Sequence, residues 1–361
     1  MESKVRLGPA SAEEYAQQEA GFASIMATLA KARTIAICAH TSPDGDALGS
    51  QLGLALIIEA LWPQTEVRVL LADERPAPHI YSFLPGFERL EQPSAYEDDP
   101  DVFVAVDLSD PRRLHEAQAV CERAGKVVVI DHHPPVEGFG DAKVVRTGAA
   151  AVGVIIAELA LFAGVELTPD IAQNLMCAIV TDTGRFQYQN ADGEAFRAAS
   201  LLVDSGASPS QISLHVYESF GLPFLHLKSL VLGRITTFEQ GRIAYSYATQ
   251  SDFERTGANL DECDGLIDAV RSVEGSQIAL FLKAVPGGKV RGNLRSKGDH
   301  DVSCVAQMMG GGGHKAAAGF TFEGSVDEAL VSVLPSLRKL LHGQDEDGEC
   351  QSGQTVQDGA Q

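Results

Sequence analysis

His40-Thr41-Ser42-Pro43-Asp44-Gly45-Asp46 places an imidazole and two carboxylates within seven residues. Imidazole and carboxylate together are the usual donors for a divalent transition metal. The run before them, Thr34 to Ala39, is short, apolar and partly β-branched, which predicts a buried strand. A helical pattern starts directly after them. Donors in the turn behind a strand sit where open α/β sheets bind substrates. A plain helix start would use one capping Asp, which leaves the histidine and the second Asp without a structural task. Three further sets follow: Asp107 at the end of a hydrophobic run, Asp131-His132-His133, and Asp182 in Thr181-Asp182-Thr183-Gly184. Adjacent histidines at a strand end point opposite ways. One can therefore ligate a metal while its neighbour meets substrate or leaving group, and Asp131 can hold a ring N–H. Asp107 is the natural bridging carboxylate, and Asp110 before Pro111 is the plain turn residue. Seven donors converging in this way point to two divalent cations.

The elements that must position these donors alternate. Strand signals at 66–71, 102–106 and 126–130 interleave with helical patterns at 46–61, 113–124, 148–162, 171–180 and 194–203. Such alternation predicts an α/β domain, a mainly parallel sheet with helices on both faces. Beyond it the sequence divides into an N-terminal extension (1–19), the catalytic domain (20–205), a linker (206–228), a smaller mixed α/β domain (229–342) and an acidic tail (343–361) that reads as disordered. In the second domain, strands are expected near 277–285, 289–295 and 316–322, with a glycine loop at 310–313 ahead of His314. Four glycines let backbone N–H groups approach a phosphate, and Arg295 offers a planar fork beside it.

The chain has 361 residues and a formal net charge of −21. The tail supplies five of those charges, and residues 226–342 balance 13 bases against 13 acids. The remaining −16 falls on residues 1–225, the half that holds the donor sets. That balance argues against a protein that clamps long nucleic acid by charge alone. No apolar segment approaches a bilayer span, so no membrane role is expected. With neither a secretory signal nor CxxC pairs, the six cysteines are expected to be reduced and the protein cytoplasmic. The apolar stretch 148–162 is a candidate homodimer contact or a core helix.

In order, H-x3-D-x-D, the strand-end Asp, D-H-H and D-T-G-x-F resemble the DHH phosphoesterase superfamily. Leu294-Arg295-Ser296 and the GGGGHKAAAG stretch at 310–319 resemble its DHHA1 domain. Together they cover roughly residues 20–342. The two-domain size and GGGGH resemble the bifunctional oligoribonuclease and pAp-phosphatase branch, the nanoRNases. The resemblance implies a hydrolase with two divalent cations, Mn2+ with Mg2+ or Co2+ as alternatives, acting on very short RNAs and on 3′-phosphoadenosine 5′-phosphate (pAp). His40, Asp44 and Asp107 match the ligands of one metal, and Asp46, Asp107, His132 and Asp182 those of the other. His133 then faces the scissile phosphate. Arg295, Ser296, Gly311, Gly312, Gly313 and His314 match substrate-binding positions. Asn293, where the family often has serine, and Ala191, where a threonine often follows Asn190, depart from the pattern away from the metal positions. A cyclic di-AMP or pApA phosphodiesterase and a non-catalytic nucleotide sensor are the competing expectations.

Overall fold

Val102-Phe103-Val104-Ala105-Val106 is a strand with all five residues buried, which requires cover on both faces of its sheet. The computed structural model describes Leu7, residues 12–263 and residues 265–343. It divides into two compact units, up to Ser219 and from Phe220 onward.

The first unit holds six strands: β1 (Thr34–Cys38), β2 (Glu66–Leu70), β3 (Leu90–Glu91), β4 (Val102–Val106), β5 (Lys126–Asp131) and β6 (Ala142–Val145). All pair in parallel, in the order β3-β2-β1-β4-β5-β6. Its helices are α1 (Ala12–Leu29), α2 (Gly45–Leu61), α3 (Gln118–Arg123), α4 (Val152–Ala163), α5 (Pro169–Asp182), α6 (Gly193–Asp204) and α7 (Pro209–Ile212). Alternation along β1 sorts the two faces. Ile35 and Ile37 join the core under α1, α2, α4 and α5, whereas Ala36 and Cys38 join the core under α3 and the 3-10 turn Pro111–Ala117. The expected helix 113–124 is broken at His115, whose φ of 48° is not helical. The expected helix at 148–162 starts only at Val152, and Val152 to Ala160 are all buried within the unit. Val152 to Ala160 serve as core, and Leu161, Phe162 and Ala163 at its end are half-buried.

α1 crosses the expected boundary at residue 20 and packs on β6 and α4. Phe22 meets Phe162 with ring centroids 5.7 Å apart. Beside that contact Arg146 bridges two buried acids, donating Nη1 to Glu158 at 2.6 Å and Nη2 to Glu194 at 2.6 and 2.7 Å. Gln18 donates to the same Glu158 oxygen, and Glu158 Oε1 is left without a hydrogen bond.

The second unit is a mixed sheet in the order β11-β12-β10-β9-β8-β7. Its strands are β7 (Thr236–Phe238), β8 (Ile243–Ala248), β9 (Ile278–Val285), β10 (Lys289–Ser296), β11 (Gly312–His314) and β12 (Ala317–Glu323). Only β8 and β9 pair in parallel. α8 (Leu222–Gly233) occupies the end of the expected linker, and α9 to α12 span Gln250–Thr256, Leu266–Arg271, Val302–Met308 and Val326–His342. The glycine stretch is a short edge strand instead of a loop, with Gly312, Gly313 and His314 paired to Gly319, Ala318 and Ala317. Four cysteines (38, 121, 177 and 263) are buried free thiols. Cys304 is disulfide-bonded, which departs from the expectation of six reduced cysteines. The acidic tail lies outside the described residues. No helix among the described residues is long and apolar enough to cross a membrane.

Burial drives the Glu158 carboxyl up to about 6, against the pull of Gln18 and Arg146. An acid raised in the folded state stabilises below its unfolded value of 4.5, and that contribution is lost as pH climbs through 6. Wild type should therefore lose on the order of 1–2 kcal/mol relative to Glu158→Gln between about pH 4.5 and 6.5. Parallel melting curves for the two proteins across that window would contradict this.

Candidate metal centre

The donors are delivered by three strand ends and two helix ends. β1 leads into His40, β4 into Asp107 and β5 into His132 and His133. Asp44 and Asp46 open α2, and Asp182 closes α5. α2 and α5 approach closely because glycines line the contact. A Cβ on Gly45 would stand 2.5 Å from the Thr181 side chain, and one on Gly49 would stand 2.3 Å from the Asn174 carbonyl. That approach brings Asp46 to Asp182.

Donor atoms gather in three overlapping sets: His40, Asp44 and Asp107; Asp107, His132 and His133; Asp46, His132 and Asp182. Within each set the atoms lie within 4.8 Å of one another. His132 is shared by the last two sets, and the first two are linked by Asp107. Its Oδ2 is 3.3 Å from His40 Nε2, and its Oδ1 is 3.5 Å from His132 Nε2 and 3.4 Å from His133 Nδ1. His132 Nε2 also stands 3.9 Å from both Asp46 and Asp182. Asp107 holds a φ of 59°, an αL conformation that few residues other than glycine adopt. Its N–H bonds to the Ile130 carbonyl at 3.0 Å.

Each donor is aimed by a partner behind it. His40 Nδ1 lies 2.8 Å from the Thr41 carbonyl and His132 Nδ1 3.0 Å from the Ala149 carbonyl, which leaves Nε2 of each ring facing the cluster. Asp44 both caps α2, accepting from the Asp46 and Ala47 N–H groups at 3.0 Å, and contributes a donor to the cluster. Asp46 accepts from Ser50 Oγ at 2.8 Å and from the Val152 and Gly153 N–H groups at 2.7 and 3.1 Å. Asp131 is fully buried. It accepts Ser109 Oγ and the backbone N–H groups of both histidines, and its Oδ1 lies 2.8 Å from His133 Nδ1.

Thr41, Asp73, Ser109, Ser50 and Ala149 had no sequence signal of their own. Asp73 becomes visible only with the strand order, because β2 lies beside β1 and ends at the same rim. Its Oδ2 accepts from Thr41 Oγ1 at 2.6 Å and from Arg75, which also donates to Thr41 and Ser42.

The charge balance of the cluster calls for a cation. Burial, with Asp107 and Asp182 close by, pushes Asp46 well above the carboxylate range. Burial drives Asp182 up to about 7, opposed by His132 and assisted by Asp44 and Asp107. Burial opposes ionisation of Asp107 too, yet the hydrogen bond and charge of His40, with His132 and His133, hold it at about 2. Asp107 Oδ1 is buried and has no hydrogen-bond donor. An orphaned carboxylate oxygen amid imidazole nitrogens and further acids fits divalent cation binding.

In the second unit, Arg295 and Ser296 end β10, paired with β9 and β12. Arg295 is half-buried with Nη1 on its neighbour's carbonyl at 3.0 Å, and the buried Ser296 Oγ has no hydrogen bond. Gly312 to His314 lie on the next strand but one, across β12. These residues and the donor cluster belong to different units.

Known proteins share both halves. Family models match residues 34–179 (DHH family, N-terminal domain) and 240–342 (DHHA1 domain). The bifunctional oligoribonuclease and PAP phosphatase NrnA of Thermus thermophilus is 32% identical over 309 residues, covering 85% of this chain and 90% of that protein. Its counterpart in Bacillus subtilis is 28% identical over 320 residues, covering 87% and 98%. The crystal structure of an exopolyphosphatase-related protein from Bacteroides fragilis has the same fold, with a TM-score of 0.82 at 23% identity, covering 90% and 96%.

Releasing Thr41 should loosen His40. Asp73→Ala is expected to weaken divalent-cation binding about 10- to 100-fold by calorimetric titration while the far-UV spectrum stays unchanged. Unaltered affinity would show that the Asp73–Thr41 bond does not position the ligand.

Proposed function

The chain belongs to the DHH family of phosphoesterases, and from that premise we propose that it hydrolyses short oligoribonucleotides to mononucleotides and pAp to AMP. It is a hydrolase. The observation that carries the reading is the set of three donor groups joined through Asp107 and His132, in a chain 32% identical to an enzyme named for these two activities.

His40, Asp44 and Asp107 would hold one divalent cation, and Asp46, Asp107, His132 and Asp182 a second. The mixture of imidazole and carboxylate suits Mn2+ better than Ca2+, with Mg2+ and Co2+ as alternatives. Bound there, the cations supply Lewis-acid charge and acidify water near neutral pH. The protein's own part is orientation and proton transfer. Water adds to phosphorus as the ester P–O bond breaks, and the departing oxygen takes a proton. With Nδ1 turned to Asp131, His133 presents Nε2, the atom placed to give that proton. Asp131 fixes the orientation of the ring. Arg295, Ser296, Gly311 to Gly313 and His314 are assigned to the nucleotide end of the substrate, where an Arg fork and a glycine backbone free of side chains suit phosphate or base.

Two measurements test this reading. A panel of two- to five-nucleotide RNAs, pAp, pApA and cyclic di-AMP, assayed with manganese, should show turnover of the short RNAs and pAp. Preference for pApA and cyclic di-AMP would move the assignment to a cyclic-dinucleotide phosphodiesterase. Asp107→Asn, which tolerates the αL backbone, should lower kcat/KM by about 10³-fold or more and leave the melting temperature near wild type. Retained hydrolysis in that variant would dismantle the site assignment. His133→Ala should cost about 10²- to 10⁴-fold in kcat with little change in KM.

A further inference from the structure

Directly after Asp182 the backbone does something that L-residues resist. Gly184, Arg185 and Phe186 have φ of 55°, 62° and 60°, a single left-handed turn. Each non-glycine residue there costs about 1–2 kcal/mol. The first position has no room for a side chain, because a Cβ on Gly184 would lie 2.4 Å from the Tyr188 ring. Hydrogen bonds pin the turn. Arg185 N–H donates to Val180 O at 2.7 Å, and Gln187 and Tyr188 N–H donate to Thr183 O at 3.0 Å. Thr183 Oγ1 accepts from Phe186 N–H at 3.1 Å, and Asn190 Nδ2 donates to the Asp182 carbonyl at 3.1 Å. Persistent strain of this kind marks a position whose side chain has a task.

The side chain so placed is Arg185. It is exposed, its guanidinium lies 4.6 Å from the centroid of the Tyr217 ring, and it makes no ion pair among the described residues. Arg68, Arg75, Arg89, Arg146 and Arg234 all rest on carboxylates, in a chain with 49 acids to 28 Lys and Arg. Tyr217 closes a π-helical turn, Ser213–Tyr217, whose His215 stacks on Phe83 at 4.6 Å. That turn packs on the short 3-10 helix His79–Tyr81. Burial, then the charge of Asp44 and, further down, of Tyr217, pushes the Tyr81 phenol up. The Arg185–Tyr217 pair is therefore tied to the donor cluster twice, through Asp182 in sequence and through Tyr81 in space.

We propose that Arg185, held flat on Tyr217, binds a second phosphate of the substrate, the one beside the phosphate being hydrolysed. In pAp this is the phosphate that is kept, and in a 5′-phosphorylated oligonucleotide it is the neighbouring phosphate. The ring fixes the plane of the guanidinium and leaves its N–H fork for two phosphate oxygens. The proposal rests on the phosphoesterase reading of the cluster and adds a specificity element to it.

The test uses the full chain with manganese and compares pAp and 5′-phosphorylated diadenylate with bis(4-nitrophenyl) phosphate, which has one phosphate only. Arg185→Ala should raise KM for the first two about 10- to 100-fold, with kcat within about three-fold and bis(4-nitrophenyl) phosphate turnover unchanged. Arg185→Lys should recover part of the loss, because the charge returns without the planar fork. Tyr217→Phe should behave as wild type, and Tyr217→Leu should lose part of the KM effect. An equal loss on all three substrates, or no loss on any, overturns the proposal. Wild-type protein inert toward every phosphoester would instead refute the parent reading. Calorimetric binding of pAp without metal then decides for Arg185 alone: affinity equal in wild type and Arg185→Ala overturns the proposal, and weaker binding by the variant upholds it.

Discussion

Four carboxylates crowd into one largely buried place at the carboxyl rim of the first sheet, and their mutual repulsion is the condition the surrounding structure must meet. Left unopposed, that repulsion would drive protons onto the acids or the acids apart. The fold opposes it with fixed dipoles. Asp44 sits on the first N–H groups of α2, and Asp46 reaches to the N–H groups that open α4, so two helix termini face the acids with their positive ends. Behind the cluster, Asp131 is satisfied by a hydroxyl, two backbone N–H groups and an imidazole edge. What these dipoles leave uncompensated, Asp107 Oδ1 above all, is the part that a cation can take.

The donors were legible in the sequence because each lies at the junction of an apolar run and a turn, where short-range chemistry decides. The parallel sheet was legible for the same reason, since β1, β4 and most of β5 are continuous apolar or β-branched runs and β2 alternates Val67 and Val69 with Glu66 and Arg68. Strand order was not, and with it went Asp73, which is 33 residues from His40 and meets the His40 loop only because β2 neighbours β1. β6 and α1 were missed because their patterns are weak and depend on each other. Ala142 and Val144 alternate over only four residues, and α1 is stabilised by contacts made with α4 and β6. Helix 148–162 illustrates the opposite failure. Its composition could not separate core from interface, and burial of Val152 to Ala160 decides for core.

The second unit repeats the lesson with glycine. Four in succession read as a phosphate loop, yet three residues of that stretch lie in register with β12 as its edge strand. An edge strand presents N–H groups on its outer side as a loop would. It changes how rigidly they are held. A hydrogen-bonded edge offers its donors at fixed spacing, which suits a short ligand better than an adaptable grip on a long one.

The bond from Asp46 to Val152 and Gly153 spans 106 and 107 residues of chain. Contacts of such sequence separation form late, because the loop between them must close first. A chain emerging from the ribosome therefore carries its acidic motif solvated and uncapped until α4 has been made and docked. Maturation of the cluster is then an event in tertiary assembly, and slow synthesis or a destabilised α4 would delay competence without altering a single ligand.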